Sequence, residues 1–227
     1  MGFNDLLKML IEKEGSDLFL TTGAAPSIKA YGKLMPLVDK KLSEGVVKKI
    51  AYQIMNEDQI EAFEKSPEMN LAVAEPDIGR FRVNIFKQRG EVALVARHIK
   101  TDIPNADARV LPPILKELIM QTSGIIPLAG GTGSGKSTSM PALLDHCNKN
   151  SQDHVITIED PIEFIHPHQK SIVNQREIGV DTNSYEEALQ NTLRQAPDVI
   201  LIGEIRNQET MEHALAFAET GHLCLST

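Results

Sequence analysis

The chain has 227 residues, enough for one large domain or two small ones, and its 41% hydrophobic and 24% charged residues are an ordinary globular balance. Its 31 acidic against 23 basic residues leave a net charge of -8, which argues against a bulk electrostatic grip on nucleic acid and leaves room only for a local basic stripe. Cys147 and Cys224 are far apart, without CxxC or metal-ligand spacing, so the pattern speaks against a disulfide framework or a zinc site and for a reducing compartment.

The start, Met1 to Gly15, does not read as a signal peptide, because Asp5, Lys8 and Glu12 interrupt its apolar residues. Phe3, Leu6, Leu7, Leu10 and Ile11 instead recur at helical spacing. Asp17–Thr21 and Ile28–Tyr31 read as short strands around the turn-rich Thr22–Pro26, and Leu42–Met55 reads as a helix. Asn56 with Gln59 forms a capping-box pattern that opens another helix through Glu64. Met69–Ala74, Arg80–Phe86 and Glu91–Ile99 follow as strands, with Gln88-Arg89-Gly90 as a turn. These elements predict a small mixed α+β domain over 1–99.

Lys100–Pro113 holds three prolines and little periodicity, which places a linker there. Pro112 and Pro113 then start a helix with Ile114, Leu115, Leu118 and Ile119 expected inward. From 114 to 227, apolar runs at Ile125–Ala129, Val155–Ile158, Val199–Ile202 and Leu223–Leu225 alternate with helical stretches. That alternation predicts an α/β domain with a parallel sheet and helices on both faces. The uncharged stretch Leu118–Gly135 is broken by Gly, Pro and polar residues and does not read as a membrane span. A cytoplasmic protein is the expectation.

Gly130-Gly131-Thr132-Gly133-Ser134-Gly135-Lys136-Ser137 matches G-x-x-x-x-G-K-[ST] between a predicted strand and a predicted helix. Glycines let successive backbone N–H groups turn inward onto phosphate oxygens, and the helix N-terminus adds partial positive charge. Lys136 would reach the β- and γ-phosphates of ATP, and the Ser137 hydroxyl would hold Mg²⁺. The expected nucleotide-binding residues are Thr132, Gly133, Ser134, Gly135, Lys136, Ser137 and Thr138. Two prolines sit awkwardly here. Pro127 falls inside the strand before the loop, and Pro141 falls beyond the first turn of the helix after it, where it costs about 3 kcal/mol if unrelieved.

Thr157-Ile158-Glu159-Asp160-Pro161-Ile162-Glu163, Asp198-Val199-Ile200-Leu201-Ile202-Gly203-Glu204-Ile205-Arg206 and Thr220-Gly221-His222-Leu223 follow in order. With the phosphate loop they resemble the Walker A, Asp box, Walker B and His box of the secretion and type IV pilus ATPase superfamily. Gly15-Ser16-Asp17-Leu18 and Gly79-Arg80-Phe81-Arg82-Val83-Asn84 resemble that family's N-terminal domain. Arg194-Gln195-Ala196-Pro197-Asp198 and Glu209-Thr210-Met211-Glu212-His213-Ala214 are similar to the retraction branch, in particular to its accessory second motor. The resemblance implies a RecA-like P-loop domain behind a small PAS-like domain, a homohexameric ring, and a role at the inner-membrane base of a pilus machine. It also implies a membrane platform protein and a second retraction ATPase as partners, without insertion into the membrane or binding of nucleic acid. Further strands and C-terminal helices are expected beyond Thr227.

The roles it carries over are Glu163 as the glutamate that orients or deprotonates the attacking water, and Glu204 as a support for Mg²⁺ through water. His222 would read the γ-phosphate or couple to a neighbour. Taken singly, Glu163 would pass as a solvated loop acid and His222 as a helix-end histidine; the ordered set favours the site. Gln190 stands where the relatives carry a basic residue, and Asn207 where they carry Asp. Arg82 and Arg97 would lie directly opposite if Arg89-Gly90 is a two-residue turn, about 5 Å apart at Cβ. Two like charges there call either for an anion, such as a phosphate held by an adjacent subunit, or for a shared solvated face. An ATP hydrolase of the retraction type leads. A nucleotide-binding accessory ring subunit with weak hydrolysis is the alternative, and a nucleic-acid translocase fits the charge and the boxes less well.

Overall fold

A computed structural model of the chain describes residues 2–100, 103, 111–131 and 134–227. Two compact units emerge, Met1–Ile99 and Lys100–Thr227. Among the described residues no helix is long and apolar enough to cross a membrane.

The first unit runs α1 (Phe3–Glu12), β1 (Asp17–Thr21), β2 (Ser27–Ala30), β3 (Lys33–Pro36), α2 (Val46–Ile54), α3 (Glu57–Lys65), β4 (Glu68–Glu75), β5 (Gly79–Gln88) and β6 (Glu91–Ile99). Its described strands form one antiparallel sheet in the order β3-β2-β1-β6-β5-β4. The apolar stripe of α1 buries Phe3, Leu6, Leu7 and Leu10 at helical spacing. Alternation along β5 sends Phe81, Val83 and Ile85 into the same core, where Val47 and Ala51 of α2 and Phe63 of α3 meet them. The expected capping box is present: Asn56 N donates to Gln59 Oε1 at 2.9 Å and Gln59 N to Asn56 Oδ1 at 2.8 Å.

Two elements differ from the expectation. Helix α2 starts at Val46 rather than Leu42, because Gly45 takes a left-handed φ of 73° and breaks the helical path. Strand β3 was not anticipated. All its residues are exposed, so it has no buried face to impress a period of two on the sequence; it is added by the turn at Tyr31 and Gly32, with φ of 49° and 75°.

The second unit runs α4 (Pro113–Leu118), β7 (Gly124–Pro127), α5 (Lys136–Asn150), β8 (His154–Glu159), β9 (Ile172–Glu177), α6 (Tyr185–Thr192), β10 (Val199–Ile202), α7 (Gln208–Glu219) and β11 (Leu223–Ser226). Its described strands form a parallel sheet in the order β7-β11-β10-β8-β9. Val155, Val199, Leu201, Leu223 and Leu225 face the α5 side with Leu143 and Leu144. Ile156, Ile158, Ile200, Ile202 and Cys224 face the other side, against Ala188 and Leu189 of α6 and Ala214 and Phe217 of α7. Burial on both faces is why these strands read as continuous apolar runs. Both cysteines are buried and free, and burial raises both thiols, which suits packing rather than nucleophilic chemistry.

Helix α4 corrects one expectation. Ile119 is buried at 1% exposure, whereas Ile114 and Leu118 are 53% and 38% exposed. A helix this short seats one stripe, and 115/119 takes the core while 114/118, about 100° round the axis, faces out.

The two prolines find places. Strand β7 lies on the outer edge of the described sheet. Gly124 N donates to His222 O at 3.1 Å and Leu128 N to Ser226 O at 2.8 Å. Successive strand nitrogens alternate in direction, so that of Pro127 points away from β11 and no ladder bond is lost. Pro141 sits in the second turn of α5, which continues unbroken to Asn150. The carbonyl it orphans is that of Ser137, an exposed residue that water reaches.

Asn207 caps α7, its side chain accepting from Thr210 N at 2.9 Å. Asn and Asp cap equally well. Asn207→Asp is therefore expected to leave stability within about 0.3 kcal/mol, and Asn207→Ala to lower it by about 1 kcal/mol, read from urea-unfolding midpoints.

Candidate functional site

Because the strands of the second unit are parallel, their carboxyl ends open at one edge, where ligands of such sheets bind. A cavity of about 430 Å³ lies there. Gly135, Lys136, Ser137 and Thr138 enter it from the start of α5, Glu159 and Glu163 from the end of β8 and its loop, and Gly203 and Glu204 from the end of β10. Four of the expected nucleotide-binding residues and two of the expected catalytic acids thus share one space. Thr132 and Gly133 lie outside the described residues. Ser134 is not among the lining residues; it packs on Gly130, where a Cβ would stand 2.7 Å from Ser134 Oγ and force that hydroxyl to shift.

Gly135 takes φ 95° at the N-cap of α5 and leaves the helix without a side-chain cap. The first N–H groups of α5 are thereby presented to the cavity together with the positive end of the helix dipole. Lys136 Nζ donates to Gly130 O at 2.6 Å and Gly131 O at 3.1 Å, which folds the ammonium over the loop. Such a nest suits a phosphate, whose oxygens would exchange for those carbonyls.

The acids differ in setting. Glu163 is exposed at the cavity mouth. Glu204 is two-thirds buried and ion-paired with Arg206. Glu159, which the sequence reading passed over, accepts from Thr157 Oγ1 at 2.6 Å and Gln175 Nε2 at 3.1 Å. Burial raises its pKa, and those hydrogen bonds pull against the rise. Two further lining residues escaped notice. Burial, and then the nearby Glu204, raises the Tyr185 hydroxyl above its usual pKa, and that oxygen has no hydrogen-bond partner. Burial lowers His166 to about 4, so it lines the cavity as a neutral imidazole. The available signal was position: Glu159 ends β8, His166 lies in the loop that follows it, and Tyr185 opens α6.

His222 stands elsewhere. It precedes β11, and its carbonyl accepts from Gly124 N at the start of β7, so it lies on the amino-terminal edge of the sheet, opposite the cavity. Its Nδ1 lies 3.1 Å from Thr220 Oγ1 and 3.2 Å from Phe217 O, the surroundings of a helix-end histidine. Reading a γ-phosphate in its own chain's cavity is excluded by that placement.

In the first unit, Arg89 and Gly90 with φ of 51° and 82° make the two-residue turn, and Arg82 lies directly opposite Arg97. Asp17 joins the same row on β1, and Arg97 Nε donates to Asp17 Oδ1 at 2.7 Å. The charge of Arg97 is therefore met within the chain, by a buried carboxylate, before any outside anion is invoked.

Among the described residues no group of three or more His, Cys, Asp or Glu side chains forms a metal cage. Mg²⁺ at phosphate sites is held by one or two protein oxygens plus phosphate and water, and the Ser137 hydroxyl and Glu204 carboxylate, both lining the cavity, fit that donor set.

A parallel α/β unit with a G-x-x-x-x-G-K-S loop at its carboxyl edge defines a P-loop nucleotide-binding protein. The model of the type II/IV secretion system protein family matches residues 4–227, and the chain belongs to that family. It is 52% identical over 227 residues to the type IV pilus ATPase PilU of Pseudomonas aeruginosa, covering 100% of this chain and 59% of that protein. It is 38% identical to the type IV pilus retractation ATPase PilT of the same organism, covering 100% and 66%. The crystal structure of the pilus retraction motor PilT with bound ADP superposes with a TM-score of 0.92 at 42% identity, over 100% of this chain and 66% of that one. The chain thus spans about six-tenths of the length of the curated relatives it matches.

Proposed function

We propose that the protein is a ring-forming ATP hydrolase that powers type IV pilus retraction and twitching motility. The observation that carries this is the single cavity joining the uncapped start of α5, with Lys136 and Ser137, to the carboxylates Glu163 and Glu204. Phosphates would bind the α5 N-terminus and the Lys136 ammonium, and Glu163 would orient or deprotonate the attacking water. Ser137 and Glu204 would hold Mg²⁺, which supplies charge neutralisation on the phosphates. The relatives' names, a type IV pilus ATPase and a type IV pilus retractation ATPase, support a pilus motor; such a motor would work as a homohexamer in the cytoplasm at the inner-membrane base, acting on a platform protein. In such a ring Arg82 and Arg97 would face nucleotide held by the adjacent subunit, and His222 would couple to a neighbouring surface. Loss of the γ-phosphate would release the small unit to turn about Lys100–Pro113, most of which lies outside the described residues.

A weakly hydrolysing accessory subunit would follow if Pro127, Pro141 and the uncharged Gln190 impaired the site. The edge placement of Pro127 and the unbroken α5 remove two of those grounds, and Gln190 is exposed, its Nε2 donating to Glu186 Oε1 at 3.3 Å. In the full-length protein alone, Mg²⁺-dependent ATP turnover is expected, falling at least about a hundredfold in Glu163→Gln with nucleotide binding retained. Turnover that appears only when a partner motor is added would favour the accessory subunit instead.

A further inference from the structure

The loop carrying Glu163 has no regular secondary structure between β8 and β9, yet over 162–166 its backbone is held at four of five N–H groups. Ile162 N donates to Glu177 Oε2 at 3.2 Å, and the Glu163 backbone N–H reaches the Glu159 carboxylate. Ile165 N donates to Lys100 O at 3.1 Å and His166 N to Gln175 Oε1 at 2.8 Å. Gln175 then uses its other end twice, Nε2 donating to Phe164 O at 2.9 Å and to Glu159 Oε1 at 3.1 Å. Three of these anchors come from neighbouring strands in register, Glu177 facing Glu159 and Gln175 facing Thr157. Gln175 and Glu177, two apart on β9, point to the same side of the sheet. Glu177 is fully buried, and a buried carboxylate is retained only where donors hold it.

We propose that Gln175 and Glu177 are positioning residues for Glu163, holding the backbone of the 162–166 loop so that the Glu163 carboxylate meets the cavity at one place. The inference rests on Glu163 being the hydrolytic glutamate. A side chain that accepts from one loop N–H and donates to a loop carbonyl fixes both the height and the rotation of the segment. A displacement of about 1 Å in a catalytic group costs up to about a hundredfold in rate.

The test is a coupling experiment in the full-length protein, with steady-state ATP turnover and the affinity for a fluorescent ADP analogue measured for each variant. Gln175→Leu is expected to lower kcat about 10- to 100-fold while KM and ADP-analogue affinity stay within about threefold. In a Glu163→Gln background the same change is expected to cost less than about twofold more, because the residue it positions is already gone. Glu177→Gln, which keeps an acceptor for Ile162 N, is expected within about threefold of wild type, and Glu177→Leu to fall as Gln175→Leu does. Amide exchange across 160–166 is expected to quicken while the β8 and β10 peptides keep their protection. A kcat loss in Gln175→Leu that persists undiminished in Glu163→Gln, or that appears in KM instead, overturns the proposal. Should Gln175→Leu fail to fold, Gln175→Glu keeps the acceptor for His166 N and loses both donated bonds; a wild-type kcat in that variant overturns the proposal equally. Wild-type turnover in Glu163→Gln itself would sink the parent reading, and is distinguishable because it needs no change on β9.

Discussion

Replacing Lys136 with alanine in the full-length protein is expected to lower ATP turnover about a thousandfold, with stability changed by no more than about 0.5 kcal/mol. The two halves have separate causes. In the cavity the ammonium is the one lysine placed at the start of α5 among the lining residues, where a transferring phosphoryl group would build up negative charge. Removing a preorganised positive donor from such a site costs several kcal/mol of transition-state stabilisation, because water does not restore it in the right place. Among the described residues the side chain bonds the Gly130 and Gly131 carbonyls, on an exposed loop, and water replaces those bonds readily. Turnover assays beside urea unfolding check both halves. Activity within tenfold of wild type would remove Lys136 from the chemistry.

Phe217→Ala is expected to destabilise the second unit by about 3–5 kcal/mol. Phe217 is 2% exposed and packs against α6 and the sheet with Ala188, Leu189, Ile200, Ile202 and Cys224. Its ring also lies 6.0 Å from that of His213. Alanine there leaves a cavity walled on one side by a stiff parallel sheet, which relaxes little, so the cavity persists and the full penalty is felt. The helix carrying Phe217 leads directly into β11, so loosening it also frees the strand between β7 and β10. With two compact units, the transition must be followed by amide exchange in β10 and β11 rather than by a whole-chain signal. A loss below about 1 kcal/mol would mean that α7 is only loosely docked.

Much of the architecture was legible because local physics wrote it plainly. Strands buried on both faces cannot hide: Val199–Ile202 and Leu223–Leu225 read as uninterrupted apolar runs, Val155–Ile158 as one broken only by Thr157, and all three lie at the centre of the parallel sheet. Strand β6 was read with its observed ends, and the Arg89-Gly90 turn, with both φ positive, set the register that places Arg82 opposite Arg97. Strand β9 was not among the apolar runs, because a strand on the edge of the described sheet gives only Val173 to the apolar core, leaves Ile172 exposed and continues as Asn174, Gln175, Arg176 and Glu177.

For the site, the sequence picks out the candidate phosphate loop and the order of the acids, since G-x-x-x-x-G-K-S is itself a local pattern and Glu204 lies just past the end of a strand whose direction follows from the fold. Which residues share a space was decided by the tertiary structure alone. His222 belongs to an ordered box in the chain, yet it precedes its strand instead of following it, and parallel strands send the two positions to opposite edges. Glu159, Gln175 and Glu177 are ordinary polar residues in one dimension. They become the support of the Glu163 loop only because β8 and β9 pair in register, setting Glu159 beside Glu177. Backbone periodicity is a property of neighbours along the chain, and hydrogen-bond partnership across a sheet is not.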